Sequence, residues 1–455
     1  VFFFERIAIT LHCINRKVMH EEYVKNHSDR FLQELKSFLS IPSISAKPDH
    51  QSAIQDAAAF VMQQMFDSGV DRAELMHCGG NPIVYGEKLI DEKLPTVLIY
   101  GHYDVQPAEP LELWVSPPFS PEVRDSKIFA RGACDDKAQV HLVLKTLETL
   151  GNTSGFPCNI KLIIEGEEEI GSVSLEQFIL GNKELLKTDA FLVCDTSMPD
   201  PQHPVLITGL RGICYWELAI TTAAEDLHSG MFGGLAPNAA ELMSSLIAKM
   251  KDQSGKVLIP GFYEGMKRTD FPTASSMEWL TEFPSLDVNG FESGYTGSGP
   301  KTVIPAQARV KVSSRLAPGQ DFERVHQCME AFIRENLPAN TSFDLKLLAG
   351  QNAVRTETTS PDYLAAEKAL EKHFGTKPEN KHIGGTIPVV SMMQRHLHVN
   401  PVLMGFGLDS DNIHAPNESF LLDNYYKGIL TLLDFFTEYG NSCQQTHSLM
   451  NHKLV

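Results

Sequence analysis

Where the segment KLIIEGEEEIGS, Lys161–Ser172, leaves its apolar run, it presents Glu165, Glu167, Glu168 and Glu169 in quick succession. Three other stretches hold residues of the same chemical kind. GHYDVQP places His102 and Asp104 two apart, RGACDDK pairs Asp135 with Asp136, and Asp195 follows the apolar run Ala190–Cys194. His414 opens HAPNE much later in the chain. Combined, His102, Asp135, Glu169, Asp195 and His414 form an imidazole and carboxylate set without cysteine. Such donors suit zinc, cobalt or manganese better than copper or an iron–sulfur cluster. One bridging carboxylate with two ligands per ion would hold two metals roughly 3.5–4 Å apart. A spare carboxylate, Glu168, could then take the proton of a water between the ions while the ions polarise a carbonyl.

Each of these groups follows an element able to position it. Leu94–Tyr100, Leu162–Ile164 and Ala190–Cys194 are short β-rich runs that read as buried strands. In open α/β sheets ligands sit beyond the carboxyl ends of such strands. His102 and Asp104, two apart in an extended chain, share a face, and a carboxylate beside an imidazole fixes its tautomer and orientation. Asp135 and Asp136 open a helix predicted over Asp136–Leu150, amphipathic through Val140, Val143, Leu144 and Leu147. Blander readings exist for each alone: a solvated acidic loop, a surface His–Asp pair, carboxylates capping a helix. Those readings leave unexplained why every strand end in this half carries His, Asp or Glu.

Further helices are predicted over 22–40, 55–66, 363–373 and 425–439. Strands alternating with helices predict an α/β catalytic domain with a largely parallel mixed sheet. From about Thr208 the pattern changes. Gly212–Thr222, Gln307–Leu316 and Ser342–Leu348 alternate like antiparallel strands, with helices at Asn238–Met250 and Asp321–Glu335. The predicted organisation is therefore a discontinuous catalytic domain, 20–207 with 355–440, interrupted by an α+β domain over 208–354. Residues 1–19 and 441–455 read as disordered or non-native extensions.

Composition narrows the function. The 455 residues are 42% hydrophobic and 21% charged, the profile of a globular protein. A formal charge of −18 argues against nucleic acid as a partner. No apolar stretch approaches the roughly 18 residues that span a bilayer. The 8 cysteines form no Cys-x-x-Cys pair, which argues for reduced thiols in a cytoplasmic protein rather than a thiolate zinc site.

GHYDVQP, RGACDDK, EGEEEIGS, DLHSGMFGG, KTVIPAQARVKVSSRL and HAPNE occur in the order, and over the span, of one family's motifs. The sequence resembles the metallopeptidases that include carnosinase, acetylornithine deacetylase and succinyl-diaminopimelate desuccinylase. The resemblance implies two divalent ions, zinc foremost with manganese or cobalt as alternatives. His102 would bind one and His414 the other, Asp135 would bridge them, and Glu169 and Asp195 would complete the set. Glu168 would be the general base and Asp104 the clamp on His102, with the Asp135–Asp136 bond held cis. The inserted domain resembles a lid through which the chain forms a homodimer. His228, in DLHSGMFGG, would reach the neighbouring subunit's active site and stabilise an oxyanion. Arg315 would grip a substrate carboxylate, and Thr302, Gly385 and Thr386 match substrate-contacting segments. His141, His373, His396 and His398 keep a structural reading.

GHYDVQP, IPGFYEGM and the long lid resemble the dipeptidase branch. TSPDY at 359–363 lacks the histidine that carnosinase-like members place there, a departure that touches specificity rather than hydrolysis. The implied activity is hydrolysis of dipeptides or short peptides with a free C-terminal carboxylate. A deacylase of N-acyl amino acids using the same two ions is the alternative, and a metal-bound inactive scaffold a more distant one.

Overall fold

In the computed structural model, which describes residues 2–268, 270–273 and 276–452, the apolar runs that lead into the acidic residues lie side by side in one sheet. The first of two units comprises Val1–Thr208, Thr356–Lys381 and Pro388–Val455. Its strands are β1 (Arg72–Met76), β2 (Ile83–Lys88), β3 (Thr96–His102), β4 (Asn159–Glu165), β5 (Ala190–Val193) and β6 (Val205–Leu210). Their order is β1-β2-β4-β3-β5, then Pro401–Leu403, then β6. β3 runs parallel to both β4 and β5, and Pro401–Leu403 runs parallel to β5, whereas β1 and β2 are antiparallel. The central β4 and β5 are buried along their whole length, which is why each reads as a continuous apolar run rather than an alternation.

Helices α1 (Phe2–Leu39), α2 (Gln51–Asp67) and α3 (Lys137–Asn152) and the last helix, Leu422–His452, contribute to the same core. α3 is buried on every side, its polar positions included. His141 Nδ1 lies 2.7 Å from the Tyr425 hydroxyl, and Lys145 is held between Glu34 and Glu148. Its amphipathic pattern therefore marks two buried faces, one apolar and one a charge network shared with α1.

Over the segments read as disordered or non-native extensions, 1–19 and 441–455, the described residues are helical, α1 from Phe2 and the last helix to His452. Val1 and residues 453–455 lie outside the described residues.

The second unit comprises Gly209–Arg355 and His382–Ile387. β7 (Gly212–Thr221), β8 (Ser285–Ser293), β9 (Gln307–Leu316) and β10 (Ser342–Gln351) form an antiparallel sheet in the order β8-β9-β7-β10. Alternate residues of β7, Cys214, Trp216, Leu218 and Ile220, share an apolar core with α4 (Ala239–Met250) and α5 (Phe322–Asn336). Asn238 accepts the Ala240 and Glu241 amides, and Asp321 the Arg324 amide, so each helix begins at a capping side chain. The sequence pattern omits β8, whose Asn289-Gly290 pair coincides with a register shift and obscures the alternation. It also assigns 382–387 to the catalytic half. The structure groups these residues with the second unit, where Arg211 donates to Gly384 O and Arg315 to Thr386 Oγ1. No described helix is long and apolar enough to cross a membrane.

Candidate metal centre

β3 delivers His102, and the turn after β4 delivers Glu168 and Glu169. Asp195 lies just past β5, and Asp135 just ahead of α3. Parallel strands end at the same edge of a sheet, so the topology alone gathers these groups. Close approach between β3 and the start of α3 requires glycine at 101. A Cβ there would stand 2.5 Å from Val140 Cγ2 and 2.8 Å from Asp136 Oδ2. With that gap closed, Asp136 accepts the His102 amide at 3.2 Å and fixes the strand end against the helix.

Asp135 is the hub. Its Oδ1 lies 2.9 Å from His102 Nε2, and its Oδ2 lies 2.9 Å from His414 Nε2. Asp195 Oδ2 is 3.8 Å from the same His102 nitrogen, and Glu169 Oε2 is 3.1 Å from the His414 nitrogen. Two triads result, His102–Asp135–Asp195 and Asp135–Glu169–His414, each with its ligand atoms within 4.8 Å of one another. The Asp135–Asp136 peptide bond is cis. His102 is wholly buried while His414 is half exposed, on a loop where Asn412, His414 and Asn417 all take positive φ. Asn417 braces that loop, accepting the Val115 amide and donating to Leu113 O, both at 2.8 Å.

The electrostatics fit a site for cations. Burial pushes Asp195 well above the usual carboxylate range, and the Asp135 charge adds to it. Burial likewise raises Glu168 to about 8, and the charges of Asp135, Glu169 and Asp104 outnumber the opposing one of His102. Burial pushes Asp135 up as well, but hydrogen bonds with His102 and His414 outweigh it and hold the carboxyl low. His414 in turn is raised to about 10 by Asp135 and Glu169. The two imidazoles thus stand in for positive charge that the acids lack. Nitrogen and oxygen donors already aimed at two points suit two divalent ions sharing Asp135.

The remaining acidic residues of the motifs hold the ligand-bearing loops. Asp104 does more than face His102, whose Nδ1 is 3.1 Å from its carbonyl and 3.3 Å from Oδ1. Its carboxylate also accepts the Glu168 amide at 3.2 Å and the Glu169 amide at 3.1 Å, so it joins His102 to the turn that carries both glutamates. Glu165 accepts from the Tyr100 hydroxyl at 2.6 Å and from Ser172 at 2.8 Å. Glu167 accepts the Asn81 and Ser174 amides at 3.1 and 3.0 Å, which anchors both flanks of the turn.

Two residues escaped the sequence reading. Gln106 donates through its amide and side chain to both Glu169 carboxylate oxygens, at 3.0 and 2.8 Å. Glu418 accepts four donors around Asp135. Both lie inside the quoted motifs, GHYDVQP and HAPNE, but neither is of a type that spacing alone marks as a ligand.

The second unit holds the other expected residues in two hydrogen-bonded pairs. The short strand Leu227–His228 pairs with Val303–Ile304, and the Ser229 amide donates to Thr302 O at 3.1 Å, so His228 and Thr302 are neighbours. The exposed His228 ring accepts the Gly230 amide at 3.0 Å. Arg315 donates to Thr386 Oγ1 at 3.1 Å, and Thr386 donates to Arg211 O at 2.6 Å. Burial lowers the Arg315 guanidinium from its ordinary value. Gly385 is exposed on the same loop.

Residues 98–438 match the model of peptidase family M20/M25/M40. The Cys-Gly metallodipeptidase dug1 of Schizosaccharomyces pombe is 30% identical, over 90% of this chain and 95% of its own. The Beta-Ala-His dipeptidase of Mus musculus is 29% identical over 93% and 95%. Among solved structures, the M20 family metallo-carboxypeptidase Sso-CP2 from Sulfolobus solfataricus superposes with a TM-score of 0.81 at 31% identity, covering 90% of this chain and 99% of that one.

Proposed function

The chain belongs to peptidase family M20/M25/M40, in its dipeptidase branch, and from that premise we propose that it hydrolyses dipeptides or similarly short peptides with a free C-terminal carboxylate. The observation that carries the reading is the doubled donor set, two triads that share Asp135. When bound there, two divalent ions, zinc foremost and manganese or cobalt as alternatives, supply Lewis acidity for the scissile carbonyl and make a water acidic near neutral pH.

The chain's own residues supply the rest. Glu168, beside the triads and without a metal-ligand role, accepts the proton of the attacking water and returns it to the departing amine. Asp104 keeps that turn and the His102 ring in register through its contacts with both. From the second unit, Arg315 takes the substrate carboxylate with a forked guanidinium, aided by Thr302, Gly385 and Thr386. His228 donates to the developing oxyanion, acting from the second copy of a homodimer joined through this unit. Free cysteines, 134, 158, 194, 214 and 328 buried among them, support a cytoplasmic setting.

The test is a substrate profile of the metal-depleted protein reconstituted with zinc, manganese or cobalt. Dipeptides should be cleaved, and the same dipeptides with an amidated C-terminus should be poor substrates. Preference for N-acetyl or N-succinyl amino acids would move the chain to the deacylases. No turnover of either class by the two-ion form would leave an inactive scaffold.

A further inference from the structure

We propose that Glu418 is the positioning residue for Asp135, and that through this one carboxylate both halves of the metal centre are set together. Glu418 is wholly buried, and four donors converge on it. Its Oε1 accepts the Cys134 amide at 2.7 Å and the Asp135 amide at 3.0 Å, while Oε2 accepts the Gly132 amide at 2.9 Å and Arg131 Nη1 at 2.7 Å. Its carbonyl also accepts the Ala130 amide at 3.1 Å, and the strand Ser419–Leu421 pairs with Lys127–Phe129. The segment 127–135 is therefore held from end to end by Glu418 and the strand that follows it. Four residues earlier the same chain carries His414, whose Nε2 lies 2.9 Å from Asp135 Oδ2. One short stretch thus supplies a ligand and fixes the carboxylate opposite it.

An ion pair alone does not account for this arrangement. Arg131 occupies a single acceptor site, whereas three consecutive-loop amides take the others, and a carboxylate offers about four such sites. Glutamine at 418 would keep an acceptor for two amides and turn its NH2 group against Gly132 N–H and Arg131, donor against donor. The 131–135 loop would then have to move, carrying Asp135 away from both His102 and His414. Gln106 makes the contrasting case, since its side chain holds Glu169 and so touches one triad only.

The inference rests on the two-ion reading above, and zinc titration of the metal-free full chain against a competing chelator tests the two separately. The parent should bind two ions. Glu418→Gln should weaken both by about tenfold or more, the range found when groups that orient ligands are removed. Gln106→Ala should weaken one by a similar factor and spare the other. Circular dichroism of the metal-free Glu418→Gln form should match the parent. Glu418→Asp, which keeps the charge but draws it back from the amides, should weaken both ions less. Parent-like affinities in Glu418→Gln, or loss of one ion only, would overturn the inference. If Glu418→Gln does not fold, Glu418→Asp decides, and parent-like binding there overturns it. Failure of both variants to fold without metal would assign Glu418 to the fold instead, which also overturns it. A parent that binds fewer than two ions would remove the two-ion reading and the inference with it.

Discussion

The two units treat their functional side chains in opposite ways. In the first, three of the five candidate ligands are held by partners outside the two triads. The Asp135 amide donates to Glu418 at 3.0 Å, Glu169 accepts from Gln106 at 2.8 Å, and His102 Nδ1 lies 3.3 Å from Asp104 Oδ1. In the second, His228 is exposed with one hydrogen bond to its ring, and the Arg315 guanidinium makes one to Thr386 among the described residues. The difference fits the roles proposed for each set. Metal ligands gain affinity when their geometry is fixed in advance, because no ordering cost remains at binding. Groups that meet a substrate must keep donors unspent until it comes.

That contrast is broken most directly at Glu168, the one group of the first unit proposed to move protons rather than hold metal. Glu168→Gln should lower kcat by roughly 10²–10⁴-fold, the usual contribution of a general base. Zinc stoichiometry should stay at the parent value. A variant that loses metal along with activity would show that Glu168 belongs with the ligands.

His228→Ala carries the comparison to the second unit. Loss of an oxyanion donor should cost roughly 10²–10³-fold in kcat with metal content untouched. If His228 acts across a homodimer, mixing the inactive Glu168→Gln and His228→Ala proteins should restore part of the activity on subunit exchange. No recovery despite confirmed exchange would confine His228 to its own chain.

Arg315→Met comes next in size. A lost charge-assisted hydrogen-bond pair is worth about 1.5–3 kcal/mol, so kcat/KM for dipeptides should fall roughly 10- to 100-fold, chiefly through KM. Amidated dipeptides, having no carboxylate to offer, should be indifferent to the change. Equal losses for both substrates would mean that Arg315 shapes the unit rather than the specificity.

Much of the first unit was legible because strand ends are where sequence pattern and chemistry coincide. An apolar run ending in His102, Glu169 or Asp195 signals both a buried parallel strand and a donor at its exit. The fold class and the grouping of candidate ligands followed from that. Glu165, Glu167 and Glu418 were not legible in the same way, because an acid that accepts hydroxyls or amides from distant segments looks like any other acid until those segments are placed. Their partners, Tyr100, Asn81 and Cys134, stand 65, 86 and 284 positions away. The second unit gave up its alternating strands β7 and β9, whose buried faces are strictly periodic. It hid β8, where a register shift breaks the period, and the 382–387 loop, whose place depends on hydrogen bonds to Arg211 and Arg315.

The smallest effect tests whether the bracing of the first unit extends beyond the centre. The polar face of α3 is buried against α1, where Glu148 meets Arg30, Tyr23 and Lys145, with Lys145 wholly buried at 2.8 Å. The second unit's core is built from apolar side chains such as Trp216, Val310 and Phe332. Burial pushes the Glu148 carboxyl up, but hydrogen bonds from Arg30 and Lys145 outweigh it and hold the carboxyl below its usual value of 4.5. A group whose folded pKa is depressed stabilises the fold fully above its unfolded pKa and loses that contribution as pH falls through the folded one. Breaking a buried pair by removing one charge costs about 3–5 kcal/mol, and the partial exposure of Arg30 places Glu148→Gln at the low end, about 3 kcal/mol near neutral pH. The gap between parent and Glu148→Gln should close as pH falls through the depressed folded pKa, when the parent carboxylate also protonates. Hydrogen exchange should register the loss in α1 and α3 while β7 and β9 keep their protection. A loss spread equally over both units, or one independent of pH, would mean that the charge network is incidental to what holds the first unit together.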